Sequence, residues 1–166
     1  MADKFHRAFG VYGIIESQNQ LVVIKKNGGP YINRFDLPGG SLEDGESLEK
    51  AILREIQEET GLTASTIVQL GITSFKYPWD YKKWHYNQHI CVFYEIKSTS
   101  GQLHDKVPQF RGQDSLGSLF VPLDQLTLNN SSPLVLKAKQ YIQNNKRFDP
   151  NDTSMSEWKV LSEPIF

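Results

Sequence analysis

Seven of the chain's 19 acidic residues lie in one stretch, GGSLEDGESLEKAILREIQEETGL. Three of them, Glu55, Glu58 and Glu59, have the spacing i, i+3 and i+4, which places them within an arc of about 100° on one helix face. Carboxylates this close repel each other, and the negative end of the helix dipole adds to the cost. Oxygen ligands at this spacing suit Mg²⁺ or Mn²⁺. The alternative is a solvated acidic helix face.

The element that carries these acids is predicted to be a helix from Ser47 to Thr60. Ser47 is a suitable N-cap, and Gly61 supplies a residue that ends a helix readily. Three aliphatic residues, Ile52, Leu53 and Ile56, occupy the arc beside the acids and are expected to face a sheet. The carboxylates would then border the buried face, where burying them is costly without a cation.

The same stretch resembles the signature of the Nudix (MutT-like) hydrolase family. Gly40, five residues, Glu46, seven residues and then REIQEETGL match the pattern G-x5-E-x7-R-E-U-x-E-E-x-G-U, in which U is a bulky aliphatic residue. Every fixed letter and both aliphatic positions are present. The motif covers 23 of the 166 residues, Gly40 to Leu62.

The resemblance implies a Mg²⁺-dependent pyrophosphohydrolase, with Mn²⁺ as a substitute cofactor. The expected substrate is a nucleoside diphosphate linked to another moiety, cut by attack of water on phosphorus of the pyrophosphate bridge. A divalent cation is needed because dense negative charge on the pyrophosphate repels the nucleophile. Two alternatives stay open: a housecleaning pyrophosphatase of nucleoside triphosphates, including oxidised ones, and a nucleotide sensor that binds without cutting.

Roles for individual residues also follow from the resemblance. The implied metal ligands are the Gly40 carbonyl and the carboxylates of Glu55, Glu58 and Glu59, and Glu55 also matches a position that acts as the base in some relatives. Glu46 and Arg54 are expected to support them, with the guanidinium orienting the carboxylates and offsetting their repulsion. Relatives often supply a further carboxylate from a late loop, and Asp114 is the candidate here, with a turn aspartate as the alternative.

Substrate contacts are predicted mainly in the ring-rich segment YPWDYKKWHYNQ. Tyr77, Trp79 and Trp84 could stack on a base beside lysines that meet phosphate, or could be core or dimer contacts. Arg34 and Phe35, just before LPGG, are further candidates for lining the pocket.

The rest of the chain predicts an α/β fold. Strand-like segments surround the first helix and a second one in SSPLVLKAKQYIQNN, with Ser132 as cap and Pro133 at its first position. The segment PWDYKKWHYNQ is interpreted as a polar loop. Together with the resemblance, this order predicts an α/β/α sandwich around a mixed sheet and one domain, 1–166, whose tail, 146–166, has no family counterpart.

Composition limits the function classes. A net charge of −1 favours neither nucleic-acid nor membrane binding, so a small-molecule nucleotide is the expected partner. The single cysteine, Cys91, excludes an intrachain disulfide and fits a reducing compartment. The N-terminus has no apolar signal-peptide core, and no run of 18 apolar residues occurs, so we expect a cytoplasmic protein. A homodimer is an arrangement that the resemblance allows.

Overall fold

The structure is a computed structural model that describes residues 4–166. Residues 1–3, the start of the predicted domain, lie outside this range. The elements in chain order are β1 Phe5–Ile14, β2 Glu16–Ser17, β3 Gln20–Lys26, β4 Phe35–Asp36, β5 Gly39–Gly40, α1 Leu48–Thr60, β6 Thr63–Tyr81, β7 Trp84–Ser100, β8 Ser115–Pro122, α2 Pro133–Gln143 and β9 Thr153–Ser154. Two short 3₁₀ helices, Gly29–Tyr31 and Leu123–Gln125, complete the list.

The larger sheet is mixed and has the order β5-β1-β7-β6-β9. Strand β1 is parallel to β7 and antiparallel to β5, while β6 and β7 form a long antiparallel hairpin. The central position of β7 follows from its apolar run, in which Cys91, Val92 and Phe93 are completely buried. This sheet sets Gly39 and Gly40 opposite Tyr12 and Val11 of β1.

The smaller sheet is built around β3. This strand pairs antiparallel with β8 along one edge, and with the short strands β2 and β4 along the other. Lys26, the last residue of β3, therefore lies close to the start of β8 and to β4.

Two hydrophobic cores separate the layers. In β3, Leu21 and Val23 pack into the core that includes α2, whereas the intervening Val22 packs into the core that includes α1. The mixed sheet with helices confirms the predicted fold class. Among residues 4–166, no helix has both the length and the apolar composition needed to cross a bilayer.

The ring-rich segment predicted to be a loop is instead the tip of the β6–β7 hairpin. Tyr81 pairs with Trp84 across a turn at Lys82 and Lys83, and Lys82 adopts a positive φ of 52°. Tyr77, Trp79 and Tyr81 alternate along β6, which is the period of a strand. The polar residues of the segment favour a loop, and the prediction is wrong because the rings of this segment alternate as in a strand.

Candidate active site

Helix α1 positions the acidic residues as the sequence predicts. The Ser47 hydroxyl accepts a hydrogen bond from the Lys50 amide, and Gly61 ends the helix with a φ of 83°. Ile52 and Ile56 are completely buried in the core. Leu53 does not face the sheet as expected, because it lies about 100° from Ile52 around the helix, on the solvent side, and it is 37% exposed.

Glu59 is the most buried of the three acids. It is 1% exposed, and its Oε1 accepts a hydrogen bond of 2.7 Å from the Gly39 amide. Its Oε2 is also buried and has no hydrogen-bond partner within residues 4–166. Burial raises the pKa of Glu59 well above its usual value, although the positive charge of Lys26 acts in the opposite direction.

Arg54 holds the other acids together. Its Nε and one terminal nitrogen donate to the two carboxylate oxygens of Glu46, at 2.7 and 2.8 Å. The other terminal nitrogen donates to Glu55 at 3.0 Å and to Glu58 at 3.2 Å. The bonds from Arg54 to Glu46 lower the pKa of Glu46 to about 2, whereas burial raises the pKa of Glu55. Arg54 therefore offsets the repulsion between Glu55 and Glu58.

The chemistry around Gly40 fits a divalent cation. A Cβ at Gly40 would lie 2.8 Å from Glu55 Oε1, and a Cβ at Gly10 would lie 2.9 Å from the Gly40 carbonyl oxygen, so both glycines keep this oxygen-rich space open. The orphaned oxygen of Glu59 is a further donor suited to Mg²⁺. In the described part of the chain, no three His, Cys, Asp or Glu side chains already converge on one metal position. Glu55 and Glu58 bond to Arg54 instead, and Glu59 bonds to the Gly39 amide.

Asp114 lies beside the same site, just before β8. Its side chain is 56% exposed, and its Oδ2 is 3.4 Å from Nζ of Lys26. Lys26 also lies 3.9 Å from the buried Asp36. Burial lowers the pKa of this lysine, but Asp36 and Asp114 outweigh the effect, and the net shift is upward. Lys26 and Asp36 are not indicated by the sequence, because only the pairing of β3 with β4 and β8 brings them to the acids.

A cavity of about 410 Å³ extends from Gly40 and Asp114 toward the hairpin tip. His89 lines this cavity together with Tyr12 and Tyr31. Its Nε2 is 2.7 Å from the Tyr12 hydroxyl, and its Nδ1 is 2.9 Å from the Tyr31 hydroxyl. Burial lowers the pKa of His89 to about 3, so the ring is neutral near pH 7.

Aromatic rings form the far end of the cavity. Trp79 and Tyr81 stack with centroids 4.6 Å apart and an interplanar angle of 6°, and both line the cavity together with His6. His6 Nδ1 lies 2.9 Å from Oδ1 of Asn87, a buried residue that also lines the cavity. This end combines stacking surfaces with polar groups.

The structure places the five predicted substrate residues differently from one another. Trp79 lines the cavity, while Trp84 packs behind it against His6, with a centroid distance of 5.0 Å. Tyr77 is 1% exposed and lies in the core. Arg34 is buried and donates to the carbonyls of Leu128 and Lys159, and Phe35 packs near Phe166. Tyr77, Arg34 and Phe35 do not line the cavity in the described part of the chain.

Comparisons with known proteins agree with this geometry. The model of the NUDIX domain matches residues 4–144. An ADP-ribose pyrophosphatase of Methanocaldococcus jannaschii is 46% identical over 69 residues, 42% of this chain and only 41% of that protein's length. An 8-oxo-dGTP diphosphatase of Proteus vulgaris is 34% identical over 105 residues, covering 62% of this chain and 85% of that protein.

Among solved structures, the crystal structure of a MutT protein from Bacillus halodurans has a similar fold. Its TM-score is 0.65 at 17% sequence identity, with 93% of this chain and 95% of that chain covered. At this identity the likeness concerns the fold alone. The family match over most of the chain, together with the complete motif on α1, shows that this chain belongs to the Nudix hydrolase family.

Proposed function

We propose that this chain is a divalent-metal-dependent pyrophosphohydrolase whose substrate is a nucleoside diphosphate linked to another moiety. The observation that carries the proposal is the buried, partly unpaired Glu59 carboxylate, which accepts a hydrogen bond from the Gly39 amide. The next residue, Gly40, lies at one end of a cavity whose other end is aromatic. A nucleotide matches the two ends of this cavity, because its pyrophosphate is charged and its base is flat. The relative from Methanocaldococcus, named an ADP-ribose pyrophosphatase, supports this substrate class.

In the proposed enzyme, the cation would be held by the Gly40 carbonyl and the carboxylates of Glu55, Glu58 and Glu59, with Asp114 as an additional ligand. When bound, the cation neutralises charge on the pyrophosphate and lowers the pKa of a water ligand. Arg54 orients Glu55 and Glu58 through its hydrogen bonds. Lys26, at the cavity wall beside Asp114, places a positive charge where a phosphate would enter.

The aromatic end of the cavity is proposed to bind the base. The stacked pair Trp79 and Tyr81 offers a flat surface, and Lys82 lies 5.1 Å from the Tyr81 ring centroid. Asn87 and His6 are suitable hydrogen-bonding groups for the edge of a base. Trp84 supports this end from behind. Tyr77 lies in the core behind the cavity and is linked to it by its bond to Asn87.

A second candidate is a pyrophosphatase of nucleoside triphosphates, including oxidised ones. The observation that favours it is the longer match to the Proteus protein named an 8-oxo-dGTP diphosphatase, of which 85% is covered. Both candidates use the same acids and differ only in the group beyond the cleaved bond.

The test is release of phosphate-containing products from a substrate panel, with and without Mg²⁺. The panel contains ADP-ribose, nucleotide sugars, dinucleoside polyphosphates, NADH, the four dNTPs and 8-oxo-dGTP. Mg²⁺-dependent cleavage of the conjugates supports the first candidate, and pyrophosphate release from triphosphates supports the second. Tight binding of one compound without any cleavage would overturn both and indicate a sensor.

A further inference from the structure

The C-terminal segment, residues 149–166, crosses the back of the cavity wall. We call it the C-terminal strap. It lies beyond the region matched by the NUDIX model, which ends at residue 144. The sequence by itself indicates no functional role for this tail.

The strap is anchored to β6 at its start. Strand β9 pairs in parallel with Phe75 and Lys76, and the Met155 amide donates to the Lys76 carbonyl at 2.8 Å. Oδ1 of Asp152 accepts from both the amide and the hydroxyl of Ser74, at 3.1 and 2.8 Å. These contacts fix the direction in which the strap leaves the sheet.

Beyond β9, the strap bonds to the segment from Gly28 to Phe35, the loop that forms one cavity wall. Indole Nε1 of Trp158 donates to the Pro30 carbonyl at 2.8 Å. Asn33 is held twice, because its Nδ2 donates to the Leu161 carbonyl at 2.7 Å and its carbonyl accepts from the Ile165 amide at 2.9 Å.

Arg34 strengthens this contact. Its side chain is buried, its guanidinium carbon lies 4.3 Å from the Trp158 ring centroid, and one terminal nitrogen donates to the Lys159 carbonyl at 2.8 Å. The arginine predicted to contact substrate thus binds the strap instead.

Trp158 also packs directly behind the residues that shape the cavity. Its ring centroid is 5.7 Å from that of Tyr31 and 5.3 Å from that of Tyr77. Tyr31 in turn bonds to His89, and the Tyr77 hydroxyl accepts from Nδ2 of Asn87 at 2.8 Å. A single indole therefore supports two polar groups of the cavity surface, one through each tyrosine.

We propose that Trp158 is a positioning residue for nucleotide binding: through the strap it holds the loop 28–35 and the Tyr31–His89 and Tyr77–Asn87 pairs in the geometry that receives the nucleoside. The inference rests on the proposed function only for the identity of the ligand. We assign to the strap an effect on binding and none on the chemical step, since no hydrogen bond or ion pair joins a strap residue to an acid of α1 within residues 4–166.

The experiment compares Trp158→Ala, Trp158→Phe and the matched strap control Val160→Ala, whose side chain is 43% exposed. The first readout is hydrogen exchange of the Asn33 and Arg34 amides, which donate to Lys26 and Tyr31 carbonyls. The second is the Kd of dGTP and of ADP-ribose, measured by calorimetry without added metal. The third is KM and kcat for any panel compound that is cleaved.

We expect Trp158→Ala to speed exchange of both amides at least tenfold, to weaken binding at least tenfold and to raise KM with kcat changed less than twofold. Trp158→Phe, which keeps a ring but loses the bond to Pro30, should recover most of the affinity, and Val160→Ala should match the wild type. Unchanged exchange, unchanged affinity, or a fall in kcat at constant KM would each overturn the proposal.

A second variant guards against a general loss of folding in Trp158→Ala. Asn33→Asp keeps a residue type that tolerates the φ of 69° at this position, but it removes the donor to Leu161. It should increase exchange in the same loop with an unaltered thermal midpoint. The proposed activity and the strap proposal can fail separately. Binding without cleavage would refute the proposed activity, whereas the role of the strap in binding would still be supported.

Discussion

At the scale of single residues, the unusual feature is how the acids of α1 are compensated. Glu46, Glu55 and Glu58 all bond to the one guanidinium of Arg54. Within residues 4–166, Glu59 by contrast has only the Gly39 amide and the nearby charge of Lys26. The site therefore contains more carboxylate than its own cations balance. A divalent ion is the partner that this imbalance favours.

Glu58→Gln tests the metal assignment. We expect kcat to fall by on the order of 100-fold or more, because an anionic ligand is lost, while the free energy of unfolding is unchanged or higher, because repulsion with Glu55 is relieved. The measurements are turnover of the best panel substrate and urea unfolding. Glu49→Gln, the same change at an exposed position of the same helix, is the control. Full activity of Glu58→Gln would refute the assignment.

Lys26→Met tests the buried charge group at the cavity wall. Removing the lysine leaves the buried Asp36 carboxylate without its ion-pair partner, so the free energy of unfolding should fall by about 2–4 kcal/mol. The double variant Lys26→Met/Asp36→Asn should recover most of this loss, because asparagine can still accept the bonds from Leu37 and Ser132. Urea unfolding measures both. Equal losses in the single and double variants would contradict the pairing.

At the scale of elements, short pieces of sheet determine where the acids act. Strand β5 has only two residues, yet it sets Gly39 against β1 and aims its amide at Glu59. The close approach requires a glycine, because a Cβ at Gly39 would lie only 2.0 Å from the Val11 carbonyl oxygen. The positive φ of 149° at Gly39 also favours glycine.

Gly39→Ala should therefore be far more damaging than Gly45→Ala. Both glycines have positive φ, but a Cβ at Gly45 would meet no atom within 4 Å. We expect Gly45→Ala to cost about 1 kcal/mol of unfolding free energy and Gly39→Ala about 3 kcal/mol or more, since rigid backbone must move. Thermal unfolding of the two variants checks this, and similar midpoints would contradict it.

The lowered pKa of His89, on β7, predicts that the free energy of unfolding decreases at acidic pH. Its pKa is about 3 in the folded chain and about 6.5 when unfolded, so between these values only the unfolded chain binds the proton. Stability is then fully present above pH 6.5 and falls by up to about 1.4 kcal/mol per pH unit as pH decreases toward 3.

The measurement is urea unfolding between pH 7 and 5, above the range where most carboxylates titrate. In His89→Gln this part of the slope should disappear, whatever the variant's absolute stability. His85→Gln, at the exposed hairpin tip, serves as the control. An unchanged slope in His89→Gln would show that another group is responsible.

At the scale of the whole molecule, the candidate site exists only where several distant parts of the chain meet. The β5 turn, the end of β3, the loop before β8 and the hairpin tip border one cavity, and the strap supports it from behind. The acids of α1 lie next to this cavity at Gly40, because Glu55 and Glu58 line a neighbouring pocket that shares Gly40 and Asp114 with it. The excess of carboxylates links folding to the cation, because an ion that binds only the folded state stabilises that state.

Adding Mg²⁺ to metal-free protein should raise the thermal midpoint. At concentrations well above Kd the gain should be about 1–3 kcal/mol, or several degrees for a chain of this size. The shift should be smaller in Glu58→Gln and should reverse with EDTA. Differential scanning calorimetry decides the outcome, and no shift at saturating Mg²⁺ would contradict a metal site at these acids.

The sequence by itself determined the local parts of this protein. Residue spacing within a few turns fixes the extent of α1, with its cap at Ser47 and its end at Gly61. The same spacing places Glu55, Glu58 and Glu59 on one face. The mixed sheet and the family were also predictable. All of these depend on patterns that neighbouring residues can carry alone.

Only the tertiary structure decided which residues share the cavity. Lys26 meets Asp114 across 88 positions of sequence, Tyr31 meets His89 across 58 and Trp158 meets Pro30 across 128. Such contacts depend on strand register and on the direction of the strap, which side-chain spacing does not encode. Arg34 shows the consequence: by sequence it adjoins the glycine turn of the site, yet burial and the Trp158 ring make it a support for the strap.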